Sequence, residues 1–221
     1  MSGDDADREK KAAAEAAAGL VANGMTVGLG TGSTVAHLLP ALAERKLDGL
    51  RCVATSVATE EQARELGLPV ESFASLERLD VAIDGADQIA PDGWLVKGGG
   101  GAHTREKIVA AASERFVVIA DSSKLVERIA TPIPLELHAF GLQSTLRRLA
   151  LGVGPVEIRE GAPPSPDDGV IADYVGEVGD VSELATRLAV VPGVVDHGLF
   201  PGRIVCEMLV GRGDEAERLT A

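Results

Sequence analysis

An alternation along the chain limits its fold more than any other feature. Short apolar runs that end in glycine- or aspartate-bearing turns are separated by segments with helical spacing. An alanine-rich stretch, Arg8 to Ala22, reads as a helix ending near Asn23-Gly24. Met25-Thr-Val-Gly-Leu-Gly then reads as a strand running into Gly30-Thr31-Gly32-Ser33-Thr34, and helical spacing resumes over Val35 to Glu44. Leu50 to Ser56 repeats the pattern ahead of a helix over Ala58 to Leu66. Two more strands end at Asp84 and Asp121. Strand and helix in alternation predict an α/β fold: a Rossmann-like parallel sheet with helices on both faces and its candidate sites just after the strands.

The spacing changes near Thr131-Pro132-Ile-Pro134. A helix over Gly141 to Leu151, a turn-rich loop over Gly161 to Gly169, a strand near Val170 to Tyr174 and a helix near Val181 to Leu188 predict a smaller α+β, ferredoxin-like domain. Residues 132–203 form it, residues 1–131 the Rossmann-like domain, and Arg203 to Gly211 returns as a strand so that 204–221 completes the first sheet.

Aromatic residues make up only 3% of the 221 residues, so the core must come from Ala, Val, Leu and Ile, which suit helices and buried parallel strands. No apolar run reaches the roughly 18 residues of a membrane span. The Met1-Ser-Gly-Asp-Asp start is acidic where a signal peptide would be basic. Cys52 and Cys206 are too few for a disulfide framework or a metal site. These features point to the cytoplasm and away from a membrane. A net charge of −13 argues against nucleic acid as a partner, because phosphate backbones require clustered cations. With 6 Lys among 21 basic residues, a phosphate site would have to gather lysines locally.

Four stretches carry candidate chemistry. Gly30 to Thr34 offers main-chain donors, two hydroxyls and a helix start, which suits a phosphate; a tight turn capped by Ser33 or Thr34 is the alternative. Asp84-Gly85-Ala86-Asp87 presents two carboxylates around a turn, for sugar hydroxyls, proton transfer or a plain Asx-turn. Lys97 opens the run Gly98-Gly99-Gly100-Gly101, with Glu106 just beyond it: a cation, accessible backbone N–H groups and a base within ten residues, unless the run is a hinge. Asp121-Ser-Ser-Lys124 ends a strand, and Lys124 either reaches a substrate oxygen or pairs with Asp121. No further carboxylate or His stands at metal-ligand spacing. Of the four histidines only His103 lies near this chemistry, and it ranks below Glu106.

Taken in order and spacing, Gly30-Thr-Gly-Ser-Thr34, Asp84-Gly-Ala-Asp87, Lys97-Gly-Gly-Gly100, Thr104-Arg-Glu106-Lys-Ile and Asp121-Ser-Ser-Lys124 resemble the type A ribose-5-phosphate isomerases. Pro192-Gly-Val-Val and Gly198-Leu-Phe200 resemble that family's small domain. The resemblance implies cofactor-free, metal-free interconversion of ribose 5-phosphate and ribulose 5-phosphate in the pentose phosphate pathway. It implies Glu106 as the base acting through an enediol. It also implies Thr31, Gly32, Ser33, Thr34, Asp84, Gly85, Ala86, Asp87, Lys97, Gly98, Gly99, Gly100 and Lys124 as the substrate site, and a homodimer or homotetramer. Lys97 and the glycine N–H groups would stabilise the enediolate, and Asp84 or Asp87 would move protons between O1 and O2. Lys10 and Lys11 stand at the start of the first helix, and the sequence leaves open whether either reaches the phosphate. Gly101 lengthens the glycine run by one residue, and Asp167 to Asp173 is shorter than the family pattern. A sugar-phosphate-sensing regulator, an amino-sugar-phosphate isomerase/deaminase and a CoA transferase are the competing readings on related folds. They would differ by a DNA-binding segment, by ammonia release and by a much longer chain.

Overall fold

The computed structural model describes residues 3–220, so residues 1, 2 and 221 of the anticipated domain ranges lie outside the described residues. In chain order it runs α1 (Gly3–Ala18), β1 (Thr26–Leu29), α2 (Ser33–Glu44), β2 (Arg51–Ala54), α3 (Val57–Glu65), β3 (Leu79–Gly85), β4 (Gln88–Ile89), β5 (Leu95–Val96) and α4 (His103–Ala111). The second half follows as β6 (Ser113–Asp121), β7 (Ile133–Leu137), α5 (Leu142–Gly152), β8 (Val156–Ile158), β9 (Val170–Tyr174), α6 (Val181–Ala189), β10 (Val194–His197), β11 (Leu199–Phe200), β12 (Glu207–Arg212) and β13 (Glu215–Leu219). No described helix is long and apolar enough to cross a membrane.

The chain divides into two compact units. The first comprises the chain up to Ala86, Arg105–Leu125 and the chain from Arg203 onward. Its sheet has the order β13-β12-β6-β3-β1-β2, parallel throughout except for the antiparallel edge pair β12–β13. Val27, Leu29, Val81, Ile83, Val117 and Ile119 from the strands meet Leu38 and Leu42 of α2 and Ala13, Ala14 and Ala17 of α1 in one buried core. Small alanines let α1 lie close to the sheet: a side chain at Gly211 would come within 2.0 Å of the Glu9 carbonyl oxygen.

The second unit holds Asp87–Thr104 and Val126–Gly202. It contains a four-stranded antiparallel sheet, β10-β7-β9-β8, with the β-α-β-β-α-β chain order of a ferredoxin-like fold, and a small sheet β11-β5-β4. Ile133, Leu135, Leu137, Ala172, Leu149, Leu184 and Leu188 make its core.

The first helix begins and ends earlier than its composition suggests. Asp4 and Asp5 favour its start near the positive end of the helix dipole. Its end is drawn in because the Arg45 guanidinium donates to the carbonyl oxygens of Ala18 and Val21. The returning strand β12 starts at Glu207, since Gly202–Ile204 forms a 3-10 turn, and it joins the first sheet beside β6. The edge strand β13, largely polar, has no apolar signature in the sequence.

Candidate active site

In the first unit, the carboxyl ends of three parallel strands, β1, β3 and β6, and the first turn of α4 carry anticipated site residues. β1 runs into Gly30, where a side chain would lie 1.9 Å from Asp84 Oδ1, so only glycine lets the loop touch that carboxylate. The Thr31 N–H donates to Asp84 Oδ1 at 3.0 Å, and the Gly85 N–H donates to the same oxygen at 2.7 Å. Thr31 Oγ1 shares a 2.8 Å hydrogen bond with Thr55 Oγ1, and Thr59 Oγ1 donates to the Gly30 carbonyl at 2.9 Å. The loop between β1 and α2 is therefore fixed from both sides. Asp84, at the end of β3, is 3% exposed.

Neither Ser33 nor Thr34 caps α2. The cap position is Gly32, at φ +116°, with no side-chain cap, so the helix's first N–H groups are not taken by a side-chain cap. Such a terminus suits an anion. Glu106 sits in the first turn of α4 and is 4% exposed. Val109, one turn on, packs where a side chain at Gly28 would be, 2.4 Å from that Cβ position, which seats α4 against β1. Lys124 closes a 3-10 turn after β6. Asp121 does not pair with it; its Oδ1 caps that turn, accepting from the Ser123 N–H at 3.0 Å and from the Ser123 hydroxyl. Capping is the more local interaction, and it leaves Lys124 half-buried at the turn's end.

A residue that the sequence did not single out anchors this turn. Glu9 of α1 accepts the Ser122 N–H on Oε2 at 2.8 Å and the Gly213 N–H on Oε1 at 3.3 Å. Burial pushes its carboxyl up, but Ser122, the Gly213 N–H and Arg212 outweigh that and hold it below the usual 4.5.

In the second unit the glycine run is an ordered turn, not a hinge. Gly98 has φ +105°, and a side chain there would lie 2.6 Å from His103 Nδ1 and 2.9 Å from Pro134. The Gly101 N–H donates to the Gly98 carbonyl at 3.0 Å. Asp87 Oδ2 accepts the Gly99 N–H at 2.8 Å. Lys97 is 2% exposed, with Nζ 5.6 Å from the centre of the Phe200 ring. His103 is fully buried against Gly98.

Two further residues of this unit brace the glycine run and the start of α4. Arg159 forms a bidentate pair with Asp173, at 2.8 and 2.6 Å, and its Nη1 donates to the carbonyls of Gly98 at 3.1 Å and Gly99 at 2.9 Å. The Asp173 hydrogen bonds hold its guanidinium above the usual arginine pKa. Glu136, 1% exposed on β7, accepts the hydroxyls of Thr104 and Ser165. No local motif marks either residue; both act on sites some 30 to 60 positions away in sequence.

Within their units, then, the structure joins Thr31 to Asp84 and Asp87 to Gly99, and sets Lys97 on Phe200. Fold and residues define a Rossmann-like α/β protein whose polar groups gather at strand carboxyl ends, where such sheets take ligands. Residues 51–215 match the family model described as ribose 5-phosphate isomerase A (phosphoriboisomerase A). A ribose-5-phosphate isomerase A from Nitrobacter hamburgensis is 44% identical over 93% of this chain and 94% of its own. The crystal structure of the enzyme from Neisseria gonorrhoeae superposes with a TM-score of 0.91 at 33% identity, covering 97% of this chain and 96% of that one. A D-ribose-5-phosphate isomerase in complex with phospho-erythronic acid gives a TM-score of 0.91 at 29% identity, covering 98% of this chain and 99% of that one. The chain belongs to the ribose 5-phosphate isomerase A family and is an isomerase of ribose 5-phosphate.

Proposed function

We propose that Glu106 is the base of this isomerisation. It takes a proton from C1 or C2 of the open-chain sugar phosphate and returns it to the other carbon through an enediolate. Aldose–ketose interconversion moves one proton between adjacent carbons and another between their oxygens, so a carboxylate at the carbons and a second group at the oxygens suffice. The observation that carries the assignment is the burial of Glu106 in the first turn of α4, seated by Val109 over Gly28. A carboxylate held in place and away from bulk water is what proton transfer at carbon requires.

The remaining roles follow from charge. Lys97 and the N–H groups of Gly98 and Gly100 stabilise the enediolate oxygen, while the Gly99 N–H holds the Asp87 carboxylate beside it. Asp84 or Asp87 moves the proton between O1 and O2, or opens the sugar ring. Thr31, Gly32, Ser33 and Thr34, with Gly85, Ala86 and Lys124, hold the substrate, and the first N–H groups of α2 suit its phosphate. The relative in complex with phospho-erythronic acid, a phosphorylated four-carbon acid, supports a site for a sugar phosphate with an anionic end. On the same reading, residues 132–203 make the contacts of a homodimer or homotetramer, and the reaction serves the pentose phosphate pathway in the cytoplasm.

Formation of ribulose 5-phosphate from ribose 5-phosphate in EDTA, compared between wild type and Glu106→Gln, tests the core of this proposal. The wild type is expected to be active, and the variant to lose roughly 10²- to 10⁴-fold in kcat with its fold retained. A variant of near wild-type activity would transfer the base to Asp84 or Asp87.

A further inference from the structure

We infer that Arg159 is a positioning residue for catalysis: it grips the glycine turn from behind and so sets the direction of the Gly99 N–H that holds Asp87 and of the Gly100 N–H that meets the enediolate. The inference rests on the role proposed above for Gly98 to Gly100. The geometry is that of a clamp. Nε and Nη2 are fixed by both oxygens of Asp173, and Nη1 turns its two N–H groups to two successive carbonyls, Gly98 and Gly99. Four of the five guanidinium N–H groups thus have a partner.

In a planar trans peptide the carbonyl of one residue and the N–H of the next point in opposite directions. Holding the Gly98 carbonyl against Arg159 turns the Gly99 N–H the other way, and there it meets Asp87 Oδ2 at 2.8 Å. Holding the Gly99 carbonyl likewise turns the Gly100 N–H away from the guanidinium, and Gly100 is exposed. Glycine has no side chain to resist peptide rotation, so an unclamped Gly98–Gly101 turn would sample other orientations. A donor that must reorient during the reaction stabilises the transition state less than one already in place. The clamp also explains the choice of arginine, since lysine lacks the fork that reaches a carboxylate and two carbonyls at once.

The test compares Arg159→Lys and Asp173→Asn with wild type in kcat, in KM, and in affinity for two ligands. One ligand is the hydroxamate of a phosphorylated four-carbon aldonic acid, planar like the enediolate. The other is ribitol 5-phosphate, which has no carbonyl and mimics only the ground state. The expected result is a fall in kcat of about 10- to 100-fold with KM within about twofold. Hydroxamate affinity should drop about tenfold or more while ribitol 5-phosphate binding holds. A merely structural role would weaken both ligands together or lower thermal stability alone, and either result overturns the inference. If Arg159→Lys does not fold, Asp173→Asn supplies the same two ratios. An inactive wild type would remove the isomerase mechanism itself, whereas an active wild type with unchanged variants removes only the clamp.

Discussion

Lys97 shows how much one residue can carry. The residue is 2% exposed with its ammonium over the Phe200 ring, and its backbone N–H donates to the Gly198 carbonyl at 2.9 Å. A side chain at Gly198 would come within 2.1 Å of the Lys97 carbonyl, so the backbone on both sides is held closely. In the role proposed for Lys97, a charge fixed this way would need no reorganisation as negative charge grows on the substrate, and would act mainly in the transition state. Lys97→Met, of similar length and apolar, is therefore expected to lower kcat by roughly 10²- to 10³-fold while KM moves only a few-fold. Steady-state kinetics decide it, since an unchanged kcat with a raised KM would mean uniform binding instead. At this scale the sequence was informative wherever chemistry is local. Lys97, the glycines and Glu106 occupy ten positions, whereas Arg159 lies 60 residues from the carbonyl of Gly99 that it holds.

Among the elements, α1 does more than cover the sheet. Its Glu9 ties the 3-10 turn after β6 to the β12–β13 hairpin through Ser122 and Gly213. The carboxyl is held below 4.5, so the folded state prefers it ionised; the stability it contributes is complete above the unfolded value and is lost as pH falls through the folded one. Glu9→Gln is expected to lower Tm by a few degrees at pH 7, with the gap from wild type closing below about pH 4.5. Thermal melts of the two proteins between pH 3 and 7 measure this, and a gap that stays constant to pH 3 would show that ionisation is not the source. The strands of the parallel sheet were legible because each is mainly apolar and, apart from β2, which runs into Thr55-Ser56, ends at or beside a glycine or aspartate. The two-residue strands β4, β5 and β11 are too short to show a period, and β13 (Glu-Ala-Glu-Arg-Leu) is an edge strand with little to bury. Glu9 itself gave no signal, because a glutamate in an alanine-rich helix reads as a solvated one.

For the whole molecule, charge presents a conflict. The chain carries −13 and its substrate is a phosphate dianion, so their long-range interaction is repulsive. The proposed site answers with Lys97 and Lys124, two of only six lysines, together with N–H groups at the start of α2. The two fields differ in range. Repulsion from charge spread over the surface acts across tens of ångströms, while the attraction of site lysines acts within a few. The screening length is about 30 Å at 0.01 M salt and about 10 Å at 0.1 M, so added salt removes the first field before it weakens the second. Accordingly kcat/KM for ribose 5-phosphate is expected to rise, by about twofold, as ionic strength goes from 0.01 to 0.15 M. An electropositive protein with an anionic substrate would behave the opposite way. A fall over that range would mean that the lysines govern the field well beyond their immediate contacts, and that the acidic surface is arranged to stay clear of the substrate's approach.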